Sequence, residues 1–326
     1  MFHVQPNKFL WAEMKKLFVL TAALLLSLLA HSQEADRSAP YTDLTLVARA
    51  EYSSVEDGYH LGNSCFYALL DGAFTPNLSY SVETHLLSPY LQDLYTSTTY
   101  SNTTNWLDWA YLQYDLGQFG IRLGKDSIFW GTFEDQVDDY DAYYELSTYY
   151  WNLINAYQWG GSLLWTPSEN FNMRANVSTS PFGEKFFSSK LWQYSIGGEV
   201  YASDWFEGIF SFNFMEYHGA DGTAINPYFS KGVRFLPSEN FSITWDTTVL
   251  LKDYGVMMNS VSLKFSPTEH FSLSGRTSLL GNQFMFTGLV AEWTLLDCLR
   301  IHGLASRDHQ LQKTFFNIGL TWKITL

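Results

Sequence analysis

The sequence predicts an all-β chain: a transmembrane antiparallel β-barrel of about 16 strands, with short periplasmic turns and a long third outer loop. Three observations carry this. First, strand-length segments alternate apolar and polar residues. In the last of them, Leu311 to Leu326, the even positions Phe316, Ile318, Leu320, Trp322, Ile324 and Leu326 are apolar, while Asn317, Gly319, Thr321, Lys323 and Thr325 lie between them. A period of two puts the two sets on opposite faces of a strand. Second, a polar turn flanked by aromatics recurs down the chain. Third, aromatics reach 18% of residues, with 12 Trp, 21 Tyr and 25 Phe, an excess that suits strands and membrane-interface belts.

The N-terminal stretch stands apart. Lys15 and Lys16 precede an apolar run from Leu17 to Ala30, and Ala30-His31-Ser32 offers a small-x-small cleavage site. The run is too short to span a membrane as a helix and fits a signal-peptide core. Residues 1–32 are therefore read as a signal peptide, with Met14 an alternative start, and 33–326 as one barrel domain. Removing Lys8, Lys15 and Lys16 from 19 basic residues, and Glu13 from 33 acidic ones, leaves 16 against 32, a net charge of −16. That balance argues against nucleic acid as a partner. Cys65 and Cys298, the two cysteines, could pair in an exported chain or simply pack within strands. No long apolar run follows the leader, so membrane residence requires a barrel, whose strands satisfy one another's backbone groups.

The turns set the strand count. Trp165-Thr-Pro-Ser-Glu-Asn-Phe171 returns as Phe235-Leu-Pro-Ser-Glu-Asn-Phe241 and Phe265-Ser-Pro-Thr-Glu-His-Phe271. Looser copies lie at 201–205 and 293–298, and earlier turns at 74–78 and 115–119. Pro presets φ, and Ser, Glu and Asn supply turn-compatible polar groups. Seven such turns make eight hairpins and 16 strands, with both ends on one side; 14 remain if an ambiguous pair fails. Leu44, Leu46, Ala48, Ala50 and Tyr52 oppose Thr45, Arg49 and Glu51. Tyr80 and Val82 oppose Ser79 and Glu83. Met173 and Val177 oppose Arg174 and Asn176. Ile243, Trp245 and Val249 oppose Thr244 and Asp246. Two segments, 62–72 and 105–115, carry apolar residues on both faces. The connections opposite the turns are expected to be longer and more varied.

The longest of these is the third, 126–155, reading DSIFWGTFEDQVDDYDAYYELSTYYWNLIN after the fifth strand, Phe119-Gly-Ile-Arg-Leu-Gly-Lys125. Loops of this length are functional or disordered, and this one is rich in aromatics. A single-domain exported barrel with short turns and a long acidic third loop resembles the porins of Gram-negative outer membranes. The Gly120-to-Lys125 strand is also similar to the phosphate-selective porin O and P group. The resemblance spans about Tyr41 to Leu326. It implies that the loop folds into the barrel, so that Glu134, Asp135, Asp138, Asp139, Asp141 and Glu145 face basic residues on the wall. It also implies a homotrimer in the cell outer membrane, with outer-membrane lipid around it and ions or small hydrophilic solutes passing through. Phosphate, a sugar and a general mixture all remain open as the solute. The chain ends in Leu326, where such barrels often end in Phe.

The alternation names the wall independently. Its polar face carries Arg49, Arg122, Arg174, Arg234, Lys252, Lys264, Arg276, Arg300 and Lys323, with Lys125 closing the fifth strand. On a lipid face near the midplane each would cost about 2–4 kcal/mol, so their phase points to a wet lumen. A basic wall opposite an acidic loop would set the ion preference at the narrowest point. Other readings compete. The acids could form a solvated loop or hold calcium, although their spacing is not that of an EF-hand. Glu51, Glu83, Glu199 and Glu207 could pair with the arginines and close the lumen, making a non-conducting structural or secretion- or adhesion-associated barrel. His85, His218, His270, His302 and His309 are scattered, and no G-x-S-x-G is present, so neither an enzyme nor a cofactor is expected.

Overall fold

The structure is a computed structural model that describes residues 40–55, 58–60, 64–87, 107–137, 141, 143, 154–183, 190–220, 222–252 and 255–326. The expected leader, residues 1–32, lies outside them. Every strand pairs with its neighbours in sequence, antiparallel throughout. The first also pairs with the last, Thr45 opposite Thr325 through Ser54 opposite Phe316, so the sheet closes without an edge.

In chain order the strands are β1 Tyr41–Val55; β2, in two pieces, Gly58–His60 and Cys65–Thr75, which pair in succession with β1; β3 Leu78–Leu87; and β4 Leu107–Leu116. Next come β5 Phe119–Ser127, β6 Tyr157–Ser168, β7 Phe171–Thr179, β8 Trp192–Ser203, β9 Phe206–Gly219 and β10 Gly222–Ser238. The last six are β11 Phe241–Leu250, β12 Gly255–Thr268, β13 Phe271–Leu280, β14 Gln283–Leu296, β15 Leu299–Asp308 and β16 Lys313–Thr325. The sixteen-strand antiparallel barrel is thus the fold that the turns encode.

All seven sequence turns are turns, at 76–77, 117–118, 169–170, 204–205, 239–240, 269–270 and 297–298. The aromatics beside them meet across strands. Phe119 stacks on Trp165 with centroids 6.4 Å apart, Trp165 meets Phe171 edge-on at 6.0 Å, and Phe206 meets Phe235 at 5.4 Å. Such pairs are worth about 0.5–1.5 kcal/mol beyond area burial, and together they rim the turn end of the barrel. The opposite end departs from expectation in the second half. There the strands run to 14 residues in β9 and 17 in β10. The connections after β9 and β13 shrink to the residues between Gly219 and Gly222 and between Leu280 and Gln283. Chain read as loop is ladder instead, because antiparallel partners let each hairpin zip to its tip.

The two ambiguous segments have separate causes. In β2 the inward residues Cys65, Tyr67 and Leu69 are themselves apolar and bury with Val47, against Trp109. In β4 a bulge interrupts pairing with β3, where Glu83 faces Trp109 but Thr84 faces Leu107. The extra residue, Asp108, turns inward onto His85 at 2.8 Å. An inserted residue shifts the period by one, which a strict alternation cannot follow. Cys65 begins the second piece of β2, opposite Arg49, and Cys298 sits in a turn, and no disulfide joins the two.

Ile318 and Leu320 stand outward on β16, 65% and 40% exposed. Ile318→Arg and Leu320→Arg should each block assembly, read as loss of the fast-migrating folded band on an unheated gel. Normal heat-modifiable migration of either variant would show that this register is wrong.

Candidate functional site

The inward faces meet the start of the long loop. After β5 the chain turns into the barrel, and Ile128, Phe129, Trp130, Thr132, Phe133 and Glu134 are all buried. The loop can lie this close to the wall because two positions lack a side chain. Gly131 has φ +81°, and a Cβ there would fall 2.4 Å from the Ser211 backbone nitrogen on β9, a backbone approach that only glycine permits. A Cβ on Gly232 of β10 would fall 2.4 Å from Asp246 Oδ1 and 2.8 Å from the Phe133 ring, so its absence makes room for those two side chains.

Apolar contacts hold the first part of the loop. Trp130, 1% exposed, packs with Ile128, Met215, Tyr228 and Met258, and its Nε1 donates to Thr248 Oγ1 at 3.1 Å. Burying a tryptophan contributes roughly 4–6 kcal/mol as an upper bound. Phe133 then heads a short 3-10 turn, Phe133–Gln136. Its amide donates to Asp246 Oδ1 at 2.9 Å, and Arg234 lies over its ring at 3.9 Å.

Charge holds the next part. Glu134 accepts from Arg276 of β13 at 3.1 Å, with side chains 2% and 17% exposed. Gln136 donates to Glu199 of β8 at 2.9 Å. Asp135 turns back on its own loop and accepts from the Trp130 amide at 2.9 Å. Beyond, Arg300 of β15 donates to Asp141 and lies 3.4 Å from Glu292 of β14. The Tyr143 hydroxyl donates to Glu292 Oε1 at 2.7 Å, and burial beside that carboxylate pushes its phenol up, so it stays protonated. Arg49 lies 5.4 Å from the Tyr143 ring centroid, and His302 meets the same ring edge-on at 5.1 Å. His302 Nε2 is 2.8 Å from Glu51 Oε2, both side chains fully buried, and Asn317 donates to Glu51 Oε1 at 3.0 Å. The described loop thus follows the wall from β8 round to β1.

The residues singled out from the sequence divide accordingly. Glu134 and Asp141 meet wall arginines 276 and 300. Asp138, Asp139 and Glu145 lie outside the described residues. Where the loop leaves the wall, β5 runs on to Ser127, and Asp126, read from the sequence as the first loop residue, accepts from both Arg122 and Arg174, each at 2.8 Å. Arg234 donates to Glu207 at 2.9 Å. Lys264 and Lys323 share the inward phase near the turn end. Two assignments are corrected. Lys125 lies three residues from Arg122 on an unbroken ladder, so it falls on the opposite face, and its Nζ donates to the Leu107 carbonyl. Lys252 lies past the end of β11 in a turn, donating to the Tyr217 hydroxyl at 3.3 Å. The acids Asp126, Asp246 and Glu292 and the pair His85–Asp108 were not foreseen. Only Asp246 had a sequence signal, a carboxylate on the polar face of an otherwise Thr-rich strand.

No protein-family model and no curated protein matches the chain. Solved structures do. A mutant porin of Rhodopseudomonas blastica is 10% identical with a TM-score of 0.59, covering 87% of this chain and 100% of its own. A loop-deletion mutant of OmpT, an outer membrane protein of Vibrio cholerae, is 13% identical with a TM-score of 0.57, covering 88% and 100%. At such identity the likeness is one of fold: the chain has the sixteen-stranded barrel of the porins.

Breaking one partner of a buried ion pair costs about 3–5 kcal/mol. Arg276→Gln should therefore loosen the loop. With Cys65 and Cys298 replaced by alanine, Phe133→Cys should resist a membrane-impermeant maleimide, and it should label when Arg276→Gln is added. Equal labelling with and without Arg276→Gln would show that the Glu134 pair does not hold the loop.

Proposed function

We propose that this porin-fold chain is an outer-membrane diffusion channel that passes ions and small hydrophilic solutes passively, without chemistry or cofactor. The observation that carries the reading is the inward course of the described loop residues, 128–137 with Asp141 and Tyr143, fastened to the wall at Arg276 and Arg300. Sixteen strands enclose more space than wall side chains can fill. A segment laid along one side narrows that space to a passage between the loop and the opposite wall. On this reading the passage is lined by the Arg122–Asp126–Arg174 cluster on one side and by loop acids with Arg234, Lys264, Arg276, Arg300 and Lys323 on the other. Selection is then by size and by the charges nearest the permeating ion. A Gram-negative outer membrane, a homotrimer and phosphate among the solutes complete the proposal, resting on the porin resemblance.

A second reading, a non-conducting structural barrel, draws on the apolar contacts of Trp130 with Met215, Tyr228 and Met258 and on the pairing of Glu134 and Asp141 with arginines. One experiment separates the two: single-channel current of the refolded mature protein in a planar bilayer under a salt gradient. Steady open steps are expected. Neutralising Asp138, Asp139 and Asp141 together should shift the reversal potential toward anions, and an unmoved potential would place the loop acids outside the ion path. A bilayer that takes up the protein yet shows no steps would favour the non-conducting barrel.

A further inference from the structure

The outward face carries almost no charge. Among the described strand residues, formal charges in the outward phase are confined to Lys125, Glu216, Lys231 and Arg307. Three of these are occupied by the barrel itself. The Lys125 ammonium is held by the Leu107 carbonyl, Glu216 Oε2 accepts from the Trp192 amide at 2.9 Å, and Lys231 lies 5.4 Å from the Trp245 ring centroid. Arg307 is different. It is exposed near the loop end of β15, and its hydrogen bonds go to neutral groups, Gln312 Oε1 at 2.8 Å and Thr314 Oγ1 at 3.2 Å. Thr287 lies directly opposite it on β14, and Thr287 Oγ1 is 3.0 Å from His309 Nε2. A guanidinium fixed by two neutral partners, with the His309 imidazole hydrogen-bonded to the threonine opposite it, makes a donor-rich patch that holds no outward-facing carboxylate among the described residues.

Greasy surface adjoins the patch. Leu289 is 55% exposed and Phe316 57% exposed, each two residues toward the turn end from Thr287 and Thr314. An arginine in open lipid is costly, whereas one at the level of the headgroups is favourable against phosphate, which its planar fork can grip through two nitrogens. We propose that Arg307 and His309, held by Thr287, Gln312 and Thr314, seat the anionic phosphate headgroup of a membrane lipid, whose acyl chains lie over Leu289 and Phe316. The inference rests on the membrane location proposed above and adds a lipid site to it.

The test uses the refolded full-length mature protein in vesicles of phosphatidylcholine and phosphatidic acid in equal amounts, with bound lipid counted by native mass spectrometry after extraction. Wild type should retain phosphatidic acid preferentially. Arg307→Gln should cut that preference about fivefold, the worth of one interfacial cation, while Arg307→Lys and Lys252→Gln, the latter removing a charge elsewhere at the same end, should keep most of it. If Arg307→Gln lacks the folded band, Arg307→Met replaces it. Undiminished preference in the neutral variant, or an equal loss in Lys252→Gln, would overturn the site. So would displacement of the lipid by inorganic phosphate at matched concentration, which would point to a free anion. Failure of the wild type to insert into either lipid would overturn the membrane location as well, and single-channel steps from Arg307→Gln keep the two apart.

Discussion

Closure of β1 on β16 is the constraint from which the rest follows. A strand in hydrocarbon has no water to satisfy its amides and carbonyls, each costing several kcal/mol if left bare. Ten residue pairs, from Thr45 with Thr325 to Ser54 with Phe316, seal the last open edge. Once the sheet is a cylinder its two faces have different solvents. The outer face becomes apolar almost throughout, while arginines, glutamates and serines turn inward. Side-chain chemistry along the chain is thus a record of a backbone requirement.

A cylinder of sixteen strands then has an interior to manage. The wall uses two devices, and they sit on different arcs. Around β1, β2 and β4 the inward residues are large and apolar and pack on each other. From β8 round to β1 the described loop residues supply the filling, by apolar contact near Trp130 and by ion pairs and hydrogen bonds at Phe133, Glu134, Gln136, Asp141 and Tyr143. Gly131 and Gly232 set how closely the loop can approach, and the arginines set where along the wall it stops. Buried pairs of this kind add little net stability against apolar replacements, but they make misplacement costly, and a fixed loop position is what a defined passage needs.

Much of this was legible in the sequence. The turns were readable because Pro-Ser-Glu-Asn between aromatics is local chemistry, and the lipid-facing register was readable because lipid imposes a strict period of two. The partner of Glu134 was not. It lies 142 positions away on Arg276, and nothing local distinguishes a loop acid that finds an arginine from one that meets water. Asp108 is hidden by a bulge that breaks the period, and Lys125 ends its strand three residues from Arg122, out of phase with the wall. Cys65, Tyr67 and Leu69 blurred their strand because the inward face there is as greasy as the outward one.

The Tyr143 site bears on the order of assembly. Its anchors, Glu292, Arg300, His302 and Arg49, lie on β14, β15 and β1, and Glu51 is completed by Asn317 of β16. The set is complete only when the first and last strands meet, which brings Arg49 and Glu51 of β1 to His302 of β15 and Asn317 of β16. Contacts distant in sequence are slow to form, so the Arg49 side of the Tyr143 site is in place only after the cylinder has sealed. Full seating of Tyr143 is therefore a late event in biogenesis, and a barrel caught before closure would hold the loop along β9 to β15 while its contact with β1 was still missing.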